Sequence, residues 1–122
     1  GAAYLPEWSF NGIGNLVHGQ GYQVKMSESE ILFVEGEQIQ PENNPIVLNS
    51  GWNLIAYLRM QPQNVVSILS DIVADNNLII AKDYIGNAYL PEWGFNGIGE
   101  MLPGLAYQIK VNSTDELIYL AN

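Results

Sequence analysis

Glutamate and tryptophan stand side by side twice in this chain, as Glu7-Trp8 and Glu92-Trp93, each pair behind a Tyr-Leu-Pro run. A carboxylate beside an indole suits two chemistries. Two carboxyl groups facing each other across one cleft at roughly 5–10 Å can hydrolyse a glycosidic bond. An exposed aromatic ring can instead stack on a sugar while the neighbouring acid accepts hydroxyl hydrogen bonds. The first chemistry needs two unlike environments that separate the pKa values of acid and base. Glu7 and Glu92 occupy equivalent sequence surroundings, so catalysis is not expected and the chain is read as a non-enzyme. The second chemistry needs only exposure. Tyr4, Glu7, Trp8, Tyr89, Glu92 and Trp93 therefore form the candidate ligand-binding set, with Phe10 and Phe95 beside them. The competing reading is that recurring aromatics cap a core, because recurrence is first a packing requirement.

The remaining chemistry-bearing residues point to structure. His18 is the one histidine, faces Pro103 in the sequence match described below, and has no acid or cysteine near it in sequence. A general base or metal ligand would need such partners. Asp71, Asp75 and Asp83, with Asn76, Asn77 and Asn87, offer hard oxygen donors for calcium, but the D-x-[DN]-x-[DN]-G loop is missing. Helix ending and turn formation explain them more simply. Gly12-Ile13-Gly14 and Gly97-Ile98-Gly99 lack the further glycine and lysine of a phosphate loop. No cofactor and no metal site are expected.

Composition narrows the partners. Thirteen acids stand against four cations (Lys25, Arg59, Lys82 and Lys110), for a net charge of −9. Nucleic acid is excluded as a partner, since phosphate binding needs a basic stripe. There is no cysteine, hence no disulfide or thiolate site. No run approaches the roughly 20 apolar residues of a membrane span, so membrane insertion is not expected. No signal peptide is visible; the chain starts at Gly1 without an initiator Met, which reads as a tag scar and leaves room for a removed targeting segment. A hydrophobic content of 48% is enough for a core.

These residues are placed by a duplication. Ala3–Met26 matches Ala88–Val111 at a constant spacing of 85, with 15 of 24 positions identical and no gap. A constant spacing marks one structural unit copied in tandem. The expected organisation is a C-terminal half-repeat over residues 1–37, a linker over 38–45, and one nearly complete repeat over 46–122. Pro41 and Pro45 keep the linker extended. The half-repeat lacks the partner that residues 46–87 supply to the second copy. It is expected to pack on residues 46–87 within the chain and share one core; complementing another chain by domain swapping is the alternative. Exposed β edges also allow a homodimer by edge pairing.

Within the full repeat, Gly51–Leu58 reads as a central strand, apolar on both faces, with Trp52, Leu54, Ala56 and Leu58 on one of them. Val65, Ile68, Leu69, Ile72 and Val73 form a helical stripe over residues 63–75, with Pro62 in its first turn and Asp75-Asn76-Asn77 as its stop. Leu78–Lys82 and Ala88–Leu90 make a hairpin ended by Pro91. Residues 92–104 read as a loop. Leu105–Val111 and Leu117–Leu120 read as closing strands. The fold class is α+β, mainly β, with antiparallel sheets, one helix per full repeat, and a tandem repeat of about 85 residues.

The runs GWNLIAYLR, KDYIGNAYLPEWGFNGIGEMLPG and YQIKV resemble a tandem repeat of secreted and cell-surface proteins from marine and gliding bacteria. The resemblance implies an extracellular or cell-surface location and neighbouring repeats of the same protein as partners, with surface glycans or proteins as further candidates. It carries no catalytic residues, and no export signal of that family is visible. The expected function is a non-enzymatic structural or adhesive module; the alternative is a carbohydrate-binding module using the Tyr/Trp/Glu set.

Overall fold

In the computed structural model, which describes all 122 residues, strands are short wherever glycine and proline punctuate the chain. Tyr4–Leu5 (β1) and Phe10–Asn11 (β2) close a small hairpin. Ile46–Leu48 (β3), Gly51–Ala56 (β4) and Gln63–Asn64 (β5) precede two short helices, Val65–Ile68 (α1) and Ser70–Ala74 (α2). Leu78–Lys82 (β6) turns into Ala88–Leu90 (β7), and Phe95–Asn96 (β8), Glu100–Met101 (β9), Ala106–Val111 (β10) and Asp115–Leu117 (β11) follow. The fold is mainly β, with antiparallel sheets. No helix is long and apolar enough to cross a membrane.

One five-stranded sheet runs in the order β4-β10-β6-β7-β8, and the pairs β11-β3, β5-β9 and β1-β2 form separate two-stranded sheets. The strand β10 lies between β4 and β6 because its alternation is the cleanest in the chain. Tyr107, Ile109 and Val111 are buried, while Gln108 and Lys110 point to the half-exposed face. The core holds 17 residues, ten from Ile46–Ala81 and seven from Tyr89–Tyr119. Each large member contributes about 1.5–3 kcal/mol by burial.

The helical stripe is present, but it breaks at Leu69 into two helices instead of one. The cap is Asn64, whose Oδ1 accepts the Val66 N–H at 2.9 Å, and Pro62 lies ahead of β5 rather than in a helical turn. The stop is a Schellman turn. Asn76 is left-handed (φ 55°), its N–H reaches the Val73 carbonyl at 2.9 Å, and the Asn77 N–H reaches Ile72 at 3.1 Å. Asn77 is then buried between the helix end and the β10–β11 turn. Its Nδ2 donates to the Ser113 carbonyl and to Asp115 Oδ2, and its Oδ1 accepts the Ser113 N–H.

Four expectations need correction. The strand β4 is an edge of its sheet, and its core face is the one carrying Ile55 and Tyr57; Trp52 is exposed, with the Lys110 ammonium 5.7 Å from its ring. Residues 92–104 contain β8 and β9, so they are not all loop, and the last strand ends at Leu117 and pairs with β3. Most consequentially, no residue of the leading stretch joins the core, which lies wholly between Ile46 and Tyr119. Its main backbone attachment is at the outer edge of β4. There the Gly21 N–H donates to the Leu54 carbonyl and the Ala56 N–H to the Gly19 carbonyl, both at 3.0 Å. Gly21 is required at this crossing: a Cβ there would lie 2.6 Å from the Ala106 Cβ and 2.9 Å from Leu54 Cγ.

Candidate functional site

The Pro-Glu-Trp segments form single 3-10 turns, Pro6–Trp8 and Pro91–Trp93, and the two are built alike. Proline presets the first φ and needs no donor there. A left-handed residue closes each turn, Ser9 at φ 50° and Gly94 at φ 59°, and its N–H returns to the proline carbonyl at 3.1 Å in both. The chain then pairs back in the same register: Tyr4 with Asn11 and Leu5 with Phe10, Tyr89 with Asn96 and Leu90 with Phe95. Asn11 Oδ1 accepts the Gly14 N–H, and Asn96 Oδ1 the Gly99 N–H, each at 2.8 Å. Further on, the Tyr22 hydroxyl accepts the Val17 N–H at 2.8 Å and the Tyr107 hydroxyl the Leu102 N–H at 2.9 Å. The same letters therefore build the same local backbone twice.

This geometry divides the candidate residues. Trp8 and Trp93 stand outward at 73% and 76% exposure, with Glu7 and Glu92 exposed beside them. Tyr89 is buried in the core, so its ring has no face to offer a ligand. Its counterpart Tyr4 is exposed. The pairs Glu7-Trp8 and Glu92-Trp93 sit on hairpins of separate sheets, and neither glutamate lines the groove beside Gln20–Val24. His18 is exposed. Asp83 is occupied by its own turn, accepting from the Ile85 and Asn87 N–H groups and from Asn87 Nδ2. No three acidic or histidine side chains converge as a cation site would require.

A groove of about 690 Å³ lies where Gln20–Val24 passes the sheet. Tyr22, Leu54, Lys82, Asp83, Tyr84 and Gln108 are among its lining residues. Sequence reasoning could not find it, because its two walls come from residues that meet only through the Gly19–Gly21 crossing. Its free polar groups can hydrogen-bond hydroxyls or amides, but they include no nucleophile set beside a base. Burial raises the pKa of the Tyr107 hydroxyl and also that of Tyr57, where the nearby Arg59 opposes the rise. Burial lifts Tyr119 furthest. All three are neutral phenols at pH 7. Tyr57 donates to the Gln61 carbonyl and Tyr119 to the Ala56 carbonyl at 2.9 Å, with the two rings edge to face at 5.3 Å.

Comparisons with known protein families, with curated proteins and with solved structures find no match to this chain.

Proposed function

We infer that the chain is a non-enzymatic structural or adhesive module, a slice of a tandem array with a repeat of about 85 residues, from a bacterial secreted or cell-surface protein. The observation that carries this reading is the hairpin made twice, each copy holding a tryptophan outward on an identical 3-10 turn. A repeated scaffold that presents one apolar knob per copy gains binding through multiplicity rather than through a deep site. The resemblance to surface repeats of marine and gliding bacteria points the same way. In this reading the half-repeat of residues 1–37, the linker 38–45 and the repeat 46–122 are successive parts of that array.

The second reading, carbohydrate binding, is favoured by the exposure of Trp8 and Trp93 next to Glu7 and Glu92, with Tyr4 exposed in the leading hairpin and Tyr89 alone withdrawn into the core. A polysaccharide and whole-cell binding panel, run with Trp8→Ala, Trp93→Ala and the double variant, tests both. Adhesion predicts that the double variant loses more binding than the two single losses combined. Saccharide-specific binding abolished by Trp93→Ala alone selects the second reading. Hydrolysis of any saccharide that disappears in Glu92→Gln removes both.

A further inference from the structure

We propose that residues 4–34 are a docking surface for a polypeptide half-unit of the Ile46–Lys82 kind, supplied by a neighbouring repeat. The inference rests on the array reading above and names the partner that each half-repeat requires.

Residue-by-residue matching within the one chain carries it. Tyr4, Leu16, Val24, Met26, Leu32 and Val34 are between 57% and 81% exposed. Their counterparts 85 positions later, Tyr89, Met101, Ile109, Val111, Leu117 and Tyr119, are 5% exposed or less. So many aliphatic and aromatic side chains in water over one short stretch mark an interaction surface. What covers the counterparts is known, because ten core residues from Ile46–Ala81 enclose them.

Strand pairing gives the same answer independently. In the trailing copy β7 pairs with β6, β9 with β5, β10 with β4 and β6, and β11 with β3, so each has a partner within residues 46–82. Only β8 pairs solely within its own half, with β7. In the leading copy the one strand pair present is β1 with β2, the equivalent of β7 with β8. The strands that form are the ones whose partners are local; residues 22–34 form none. The polar anchor also fits. Asn77 binds Ser113 through backbone N–H and C=O, which Glu28 offers equally, and binds the Asp115 carboxylate, whose place Glu30 takes; only the Ser113 hydroxyl, which also donates to Asn77 Oδ1, has no equivalent at Glu28.

A second copy of this chain does not satisfy the surface. Each chain brings one half of the 46–82 kind and two halves that need it, so any number of copies leaves one half uncovered per chain. The occupant must be an additional half-unit. It would add strands to residues 22–34 by the pairing already present in the trailing copy.

The test compares the full chain with a chain carrying a second copy of residues 41–85 ahead of Gly1, so that Ile85 runs into Gly1-Ala2-Ala3 as it runs into Gly86-Asn87-Ala88. Hydrogen exchange is read at the amides of Val24, Met26 and Leu32. These exchange at nearly unprotected rates in the full chain, and they slow by roughly 100-fold or more in the extended one. Val24→Asp in the extended chain reverses that slowing while residues 46–119 keep theirs. A separate polypeptide of residues 41–87, titrated onto the full chain, gives the same protection with saturation. Residues 22–34 that stay unprotected in both formats overturn the proposal, as does protection indifferent to Val24→Asp. Loss of adhesion in the tryptophan variants leaves this protection pattern unmoved, so the two ideas fail separately.

Discussion

Replacing Gly21 by alanine puts a methyl group where the crossing at β4 has no room. The new Cβ would meet the Ala106 Cβ at 2.6 Å, Leu54 Cγ at 2.9 Å and the Ile55 carbonyl oxygen at 3.1 Å. The Ala106 methyl is fixed to the backbone of β10 and cannot rotate aside, so the leading segment must move. Two backbone hydrogen bonds hold it, Gly21 to Leu54 and Ala56 to Gly19. At about 1 kcal/mol net apiece the attachment is worth about 2 kcal/mol. Releasing it is the cheapest response, since overpacking a site that cannot yield costs about 1–3 kcal/mol. At 1.4 kcal/mol per factor of ten, the Ala56 amide of Gly21→Ala should exchange roughly 30-fold faster than in the parent. The amides of β10 should keep their rates, because the core beneath does not involve the leading segment. Hydrogen exchange read by NMR resolves the two groups. A folded Gly21→Ala protein whose Ala56 amide is as protected as before would refute the crossing.

Two further perturbations address the core and its polar anchor. Burial raises the pKa of Tyr119, Tyr57 and Tyr107, so the folded chain holds these phenolic protons more tightly than the unfolded chain does. Their contribution is complete below the unfolded value near 10 and is lost as pH climbs above it, at up to about 1.4 kcal/mol per pH unit for each tyrosine. Tyr119→Phe should lose about 1 kcal/mol at pH 7, through the bond to the Ala56 carbonyl, yet show a shallower alkaline decline. Urea midpoints from pH 8 to 11 measure both effects, and an unchanged slope contradicts the assignment. Asn77→Ala strands the Ser113 carbonyl and N–H beside the helix end and should cost about 1–3 kcal/mol in denaturant melts. A cost near zero would mean that water takes over the anchor.

Legibility in the sequence followed the length and one-sidedness of each pattern. The alternation of Tyr107, Ile109 and Val111 and the hairpin across Gly86 (φ 94°) stand in the structure where the residue pattern puts them, and the Val65–Val73 stripe is helical but split at Leu69 into two short helices. Gly51–Ala56 is apolar on both faces, so the pattern could not choose between Trp52 and Ile55 as the inward residue, and packing against β10 chose Ile55. The strands β5, β8 and β9 are two residues each, too short for any period to register, and β3 is masked by the Pro45 and Asn49 that flank it. Tyr4 and Tyr89 show the deeper limit. They share identical neighbours and the same hairpin, yet one is exposed and the other buried, because burial is set by residues 46–82 and only one of the two copies has them. Local backbone was written in the local letters; the partner across the core was not.

The central claim is that one folded core lies between Ile46 and Tyr119, and that the leading copy of the same residues stands outside it. Thermal and urea unfolding of Ile109→Ala beside Val24→Ala tests this most directly, since the two positions match, carry β-branched side chains one methylene apart, and are oppositely covered. Ile109→Ala should cost about 2–5 kcal/mol, as a buried isoleucine truncated to a cavity does. Val24→Ala should fall within about 0.5 kcal/mol of the parent, as for a surface change. Comparable losses at the two positions would contradict the account.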